Sequence, residues 1–96
     1  MRSYASVDRI EGEYTVLEVE LLDTETSRTT SFKDKETIMV DVLTETIKNV
    51  IEEFEEGDII VLEHEDEIIN TFYEKDDNEK QRRIDILKAI MEQVNE

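Results

Sequence analysis

Tyr14-Thr15-Val16-Leu17-Glu18-Val19-Glu20-Leu21-Leu22 is the stretch on which the fold turns. Leu17, Val19 and Leu21 alternate with Glu18 and Glu20, the period of two that sends successive side chains to opposite faces of a strand. One face is expected to meet a core and the other to meet water. Upstream, residues 3–10 mix Tyr4, Ala5, Val7 and Ile10 with polar neighbours before Glu11-Gly12-Glu13 interrupts. Gly12 supplies the positive φ that a tight turn often requires, so the two segments are expected to form a hairpin.

Working outward, Ile38, Val40 and Val42 share one face of a third strand over 37–43. Ile59 to Leu62 reads as a largely buried fourth strand, and Asp66-Glu67 turns the chain into a fifth, Ile68 to Tyr73. Between the third and fourth the period changes. Ile47, Val50, Ile51 and Phe54 recur at i, i+3, i+4 and i+7, predicting an amphipathic helix over 45–56 with Thr44 at its N-cap and Gly57 at its end. A last helix follows Asp76, which with Glu79 resembles a capping box. Ile84, Leu87, Met91 and Val94, with Ile90 beside them, form its apolar stripe, to be buried against the sheet or against a partner.

Residues 23–35 are short of apolar side chains, and six of the eight residues from Thr24 to Ser31 are Ser or Thr. A flexible loop is expected there, with extended strand arms as the alternative because Thr favours strands. A chain of 96 residues supports one core, hence a single domain over 1–96. The expected class is mainly β with α: a small, five-stranded, partly open antiparallel barrel of SH3-like or OB-like shape, with a short helix before strand 4 and a C-terminal helix.

Composition removes several functions. The formal charge is −16, and it is uneven: residues 1–48 hold 6 Lys and Arg against 11 acids, or −5, and residues 49–96 hold 5 against 16, or −11. Direct nucleic-acid binding needs a cationic face, so it is not expected. The longest apolar run, Ile59 to Leu62, is far short of the ~20 residues that cross a bilayer. No stretch near Met1 resembles an export signal, so a cytoplasmic location is expected. Absence of Cys excludes disulfides and thiolate metal sites.

The stretch Val7-Asp8-Arg9-Ile10-Glu11-Gly12-Glu13-Tyr14-Thr15-Val16-Leu17 resembles the opening of a family of small bacterial proteins catalogued as domain of unknown function 3006. Val40-Asp41-Val42, Glu56-Gly57-Asp58-Ile59-Ile60 and the helix around Lys80-Gln81-Arg82-Arg83 are similar to later parts of that family. The resemblance implies a small bacterial β-rich domain ending in a helix, with no established activity. This chain departs from the family in its long Ser/Thr-rich segment and its Pro-free helical stripe.

Chemistry-bearing residues are few. His64 is the one histidine, flanked by Glu63, Glu65, Asp66 and Glu67, with no second His at a metal-ligand spacing. It is expected to be an ordinary strand-end residue, and if exposed its acidic neighbours would favour the imidazolium. From 52 to 67, nine of sixteen residues are acidic and none is Lys or Arg: Glu52, Glu53, Glu55, Glu56, Asp58, Glu63, Glu65, Asp66 and Glu67. Three readings stay open for this run: a solvated surface, a docking face for a basic partner, or a cation site lacking EF-hand spacing. Asp8, Arg9, Gly12 and Gly57 are expected to be structural, Asp8 accepting backbone N–H groups at the Gly12 turn and Arg9 bridging to a neighbouring strand. Neither a nucleophile with its base nor a phosphate-cradling Gly loop is present, so no enzyme activity and no cofactor are expected. The expected function is a protein-interaction module, monomeric or weakly dimeric, using an acidic face or a helix stripe toward an unidentified protein. The alternative is an acidic decoy that imitates DNA and occupies a nucleic-acid-binding protein.

Overall fold

A computed structural model describes residues 1–29 and 35–94. The elements are β1 (Arg2–Glu11), β2 (Tyr14–Glu20), α1 (Thr24–Thr29), β3 (Thr37–Leu43), α2 (Thr44–Lys48), β4 (Ile59–Glu65), β5 (Ile68–Lys75) and α3 (Asp77–Val94). The five strands form one antiparallel sheet in the order β3-β2-β1-β4-β5, so β3 and β5 are its edges and the sheet does not close. It curls nonetheless. Ile38, Val40 and Val42 from one edge and Phe72 and Ile69 from the other pack on the same cluster of Ala5, Val7, Leu17, Val19, Ile60 and Leu62. The expected five-stranded, partly open barrel with a terminal helix is the architecture found.

The segment after β3 plugs this concave face. Ile47 and Ile51 are buried and Phe54 packs against them, but the helix stops at Lys48, not near residue 56. Two local effects end it. A continued helix would place Glu52 beside Glu55 and Glu56, like charges at i+3 and i+4 that repel. The Asp58 carboxylate also accepts the Glu55 N–H at 2.8 Å, offering the backbone a turn in place of the helical ladder. Thr44 does not cap α2. Its Oγ1 hydrogen-bonds Thr15 Oγ1 at 2.9 Å and donates to Gly12 O at 3.3 Å, pinning the helix start to the first hairpin. Gly57, at φ +90°, opens β4, where its N–H donates to Val7 O at 2.9 Å.

The Ser/Thr-rich stretch is corrected in part. Thr24–Thr29 is one short helix, neither loop nor strand, because Asp23 caps it: Asp23 Oδ1 accepts the Thr26 N–H at 2.8 Å. That bond, with further hydrogen bonds from the Thr26 hydroxyl and the Glu25 N–H, holds the Asp23 carboxyl below its ordinary range. Ser27 on this helix is buried. The rest of that expectation, 30–34, lies outside the described residues. None of the described helices is long and apolar enough to cross a membrane.

Candidate interaction surfaces

Alternation places the outer face of β2 in water, yet Val16 and Glu20 on that face are buried, as are Tyr4, Ile59 and Val61 beside them on the convex side of the sheet. The cover is α3, which docks through charged side chains. Asp76 caps the helix through Oδ1 to the Glu79 N–H at 2.9 Å. The Glu79 side chain does not return the bond, as a capping box would. It turns to the sheet and receives Arg82 Nε at 2.6 Å, Arg82 Nη2 at 2.9 Å and Arg83 Nε at 3.0 Å, with Arg28 of α1 at 3.8 Å. Arg83 Nη2 continues to Glu20 Oε1 at 2.5 Å, and Lys35 Nζ stands 3.4 Å from Glu20 Oε2. The Arg83 guanidinium also lies 5.2 Å over the ring of Tyr4.

Glu79, Glu20 and Arg83 are all buried: Glu79 orders Arg82 and Arg83 within α3, and Arg83 carries that network across to β2. Burial alone would raise the Glu79 carboxyl, but hydrogen bonds and charge from Arg82 and Arg83 outweigh it and hold the group below the ordinary range. Burial is likewise the main influence on Lys35, lowering its ammonium, with Arg83 adding to the shift and Glu20 opposing it. Desolvation raises the Tyr4 hydroxyl, helped by Glu79 and Asp76. The Glu79-Arg82-Arg83 spacing at i+3 and i+4 is the visible signal in the sequence; Glu20 gives none, because neither of its partners, Lys35 and Arg83, stands at a local spacing from it.

Beyond Arg83 the helix leaves the sheet. Ile84 is half-buried, while Leu87, Ile90 and Met91 are 51, 48 and 62 % exposed; the Val94 side chain is not among those described. Between this departing half and the convex face lies a groove of about 410 Å³ walled by Ile84 and Leu87 and floored by Ile59, Glu18 and Thr37. The stripe expected on sequence grounds is therefore real as a face of α3, and the sheet leaves its outer half uncovered.

The acidic run is split. β4 separates Glu52, Glu53, Glu55 and Glu56 at its start from Glu65, Asp66 and Glu67 at its end, and seven strand residues span about 20 Å. Asp58, at the start, is not part of the exposed surface: it is buried, accepting Lys80 Nζ at 2.6 Å. Desolvation would raise its carboxyl, but the Lys80 and Glu55 hydrogen bonds bring it below the ordinary range. Glu63 is half-buried and accepts the Tyr73 hydroxyl at 3.1 Å. Among the described residues no three His, Asp or Glu converge as metal ligands.

His64 is the penultimate residue of β4, at the strand end as expected, and it is buried there. Its Nδ1–H donates to the Asp66 carbonyl at 3.1 Å and its Nε2 is hydrogen-bonded to the Ser3 hydroxyl at 3.0 Å, so both ring nitrogens are used within the core rim. Asp8 and Arg9 are both exposed. Asp8 is the extra residue of a bulge, since pairing passes from Val7↔Leu17 to Arg9↔Val16, and it caps no turn. Arg9 pairs along its own strand with Glu11 at 3.1 Å, not across to a neighbour. Gly12 adopts φ +57° in the β1–β2 turn, as expected.

Comparison of the chain with protein-family models, with curated proteins and with solved structures finds no match in any of the three.

Proposed function

We propose that this chain is a non-catalytic protein-interaction module whose docking surface is the outer half of α3 with the groove beneath it. The observation that carries this reading is the exposure of Leu87, Ile90 and Met91 on one side of a helix whose inner half is tied to the sheet by the Arg83–Glu20 pair and to the turn before β4 by Lys80–Asp58. A contiguous apolar patch flanked by polar residues is the usual mark of a protein interface. Charge supports it. Within Asp77–Val94 the cations Lys80, Arg82, Arg83 and Lys88 balance the acids Asp77, Glu79, Asp85 and Glu92, so the helix is neutral in a chain of −16. A partner there meets apolar surface without a field to overcome. The resemblance of Val7–Leu17 to a bacterial family without assigned activity belongs to the same reading, as does a cytoplasmic site of action.

Paired Leu87→Asp and Met91→Asp substitutions test it in capture of partners from the native host. The double variant is expected to keep its unfolding midpoint and lose the captured protein, and capture by the parent chain is expected to change little with salt. Capture that survives both substitutions and falls steeply with salt would favour the acidic decoy instead.

A further inference from the structure

The two edges of the sheet are built differently. β5 carries two register shifts against β4 and bears Asn70, Thr71, Glu74 and Lys75, and bulges and charged or polar residues are the usual protection of an edge strand. β3 runs against β2 without a register shift, has no Lys or Pro, and holds one charged residue, Asp41, in a chain that is 40 % charged. Its hydrogen-bonding phase follows from the bonds at the two ends of the ladder. Leu21 N–H donates to Glu36 O at 3.0 Å, and Thr44 N–H donates to Glu13 O at 2.7 Å. Because antiparallel pairing alternates, Ile38, Val40 and Val42 turn their N–H and C=O groups toward β2, and Thr37, Met39, Asp41 and Leu43 turn theirs outward. Among the described residues no strand pairs with that side. Met39, Leu43 and Tyr14, the cross-strand neighbour of Leu43, are each half exposed or slightly more on the convex face.

We propose that the outer edge of β3 is a strand-addition site for an extended, basic and apolar segment of another protein. The outward N–H and C=O groups supply main-chain hydrogen bonds, and the side-chain register supplies selectivity. A residue opposite Asp41 projects on the same face, so a Lys or Arg there meets the carboxylate, while residues two positions either way lie against Met39 and Leu43. Charge selects this occupant over a second copy: two copies bring −16 against −16, whereas a cationic segment is attracted. The site adjoins the α3 groove at Thr37, but Met39, Asp41 and Leu43, which set its register, are not part of that groove's lining.

The probe is an end-blocked, fluorescein-labelled nonapeptide with a central Lys, two Val on each side and Thr beyond, compared by anisotropy with the same peptide carrying a central Glu. The parent chain is expected to bind the Lys peptide about tenfold more tightly, and Asp41→Lys is expected to reverse that preference. Met39→Pro removes one outward N–H while sparing the ladder to β2, and is expected to weaken binding about tenfold with the far-UV spectrum retained. Should that variant fail to fold, the reversal by Asp41→Lys decides alone. Absence of saturable binding, equal affinity for the two peptides, or indifference to Asp41→Lys overturns the proposal. Binding lost in Leu87→Asp but untouched by Asp41→Lys would place the peptide on α3, overturning the edge site and upholding the α3 surface. A dimer of the parent chain that Met39→Pro abolishes would give the edge to a second copy, and so overturns it too.

Discussion

Arg83 Nη2 lies 2.5 Å from Glu20 Oε1, joining the second turn of α3 to the last residue of β2, and both side chains are more than nine-tenths buried. A buried pair of this kind is costly to break because the surviving charge keeps its desolvation penalty, whereas replacing both partners by apolar groups is often neutral. Arg83→Met is therefore expected to destabilise the fold by about 3 kcal/mol, at the lower end for buried pairs because Lys35 and Arg82 still serve the two carboxylates. Glu20→Met combined with Arg83→Met should cost less than the sum of the single changes. Urea unfolding of the four proteins measures the coupling. Strict additivity would mean that the contact does not organise α3.

The position of Leu87 leads to an opposite expectation for an apolar residue. At 51 % exposure it leaves no cavity when truncated, so Leu87→Ala should change stability by no more than about 0.5 kcal/mol. Leu17→Ala, at a fully buried site, should cost ~2–5 kcal/mol. Thermal unfolding of the two variants side by side gives the comparison, and a large loss for Leu87→Ala would mean that the outer half of α3 is packed in solution.

Acid should loosen the attachment of α3 and the turn before β4. Asp58 and Glu79 are both held below their ordinary values of 3.8 and 4.5 in the folded chain. The folded state thus binds fewer protons than the unfolded one in that range, so stability rises with pH there; it is fully present above about 4.5 and is lost as pH falls through the depressed values. Asp58→Asn removes one of the two groups and should flatten the acid limb of a plot of unfolding midpoint against pH. An unchanged slope would show that Asp58 is not the titrating group.

The two glycines should respond differently to substitution. Nothing lies within 4 Å of a Cβ built at either one, so space is not the constraint and backbone conformation is. Gly12 at φ +57° sits where Asn is tolerated, and Gly12→Asn is expected to be nearly neutral. Gly57 at φ +90° lies outside that well, and Gly57→Ala should cost about 1–2 kcal/mol. Chemical unfolding distinguishes the two.

The strands were legible because alternation is a local signal: Leu17 and Val19, Ile38 to Val42, and Ile59 to Leu62 each announce a buried face from spacing alone, and the turn at Gly12 follows from the one residue that accepts a left-handed backbone without strain. The C-terminal helix was legible for the same reason, from its cap at Asp76 and the 3.6 period of its stripe. Composition also stated the charge and the lack of thiol chemistry outright. Tertiary structure decided what those faces meet. Glu20 has the spacing of a solvent-facing residue and is buried where Arg83, from the far end of the chain, and Lys35 meet its carboxylate; Leu87 has the spacing of a core residue and remains exposed, since the ion pairs that tie α3 to the rest of the fold, Arg83 with Glu20 and Lys80 with Asp58, lie before it. The helix after β3 ends early because Asp58, ten positions beyond its last residue, secures a turn that competes with it. Periodicity specifies which side chains share a face, while pairing across the sheet and between layers determines which of those faces water reaches.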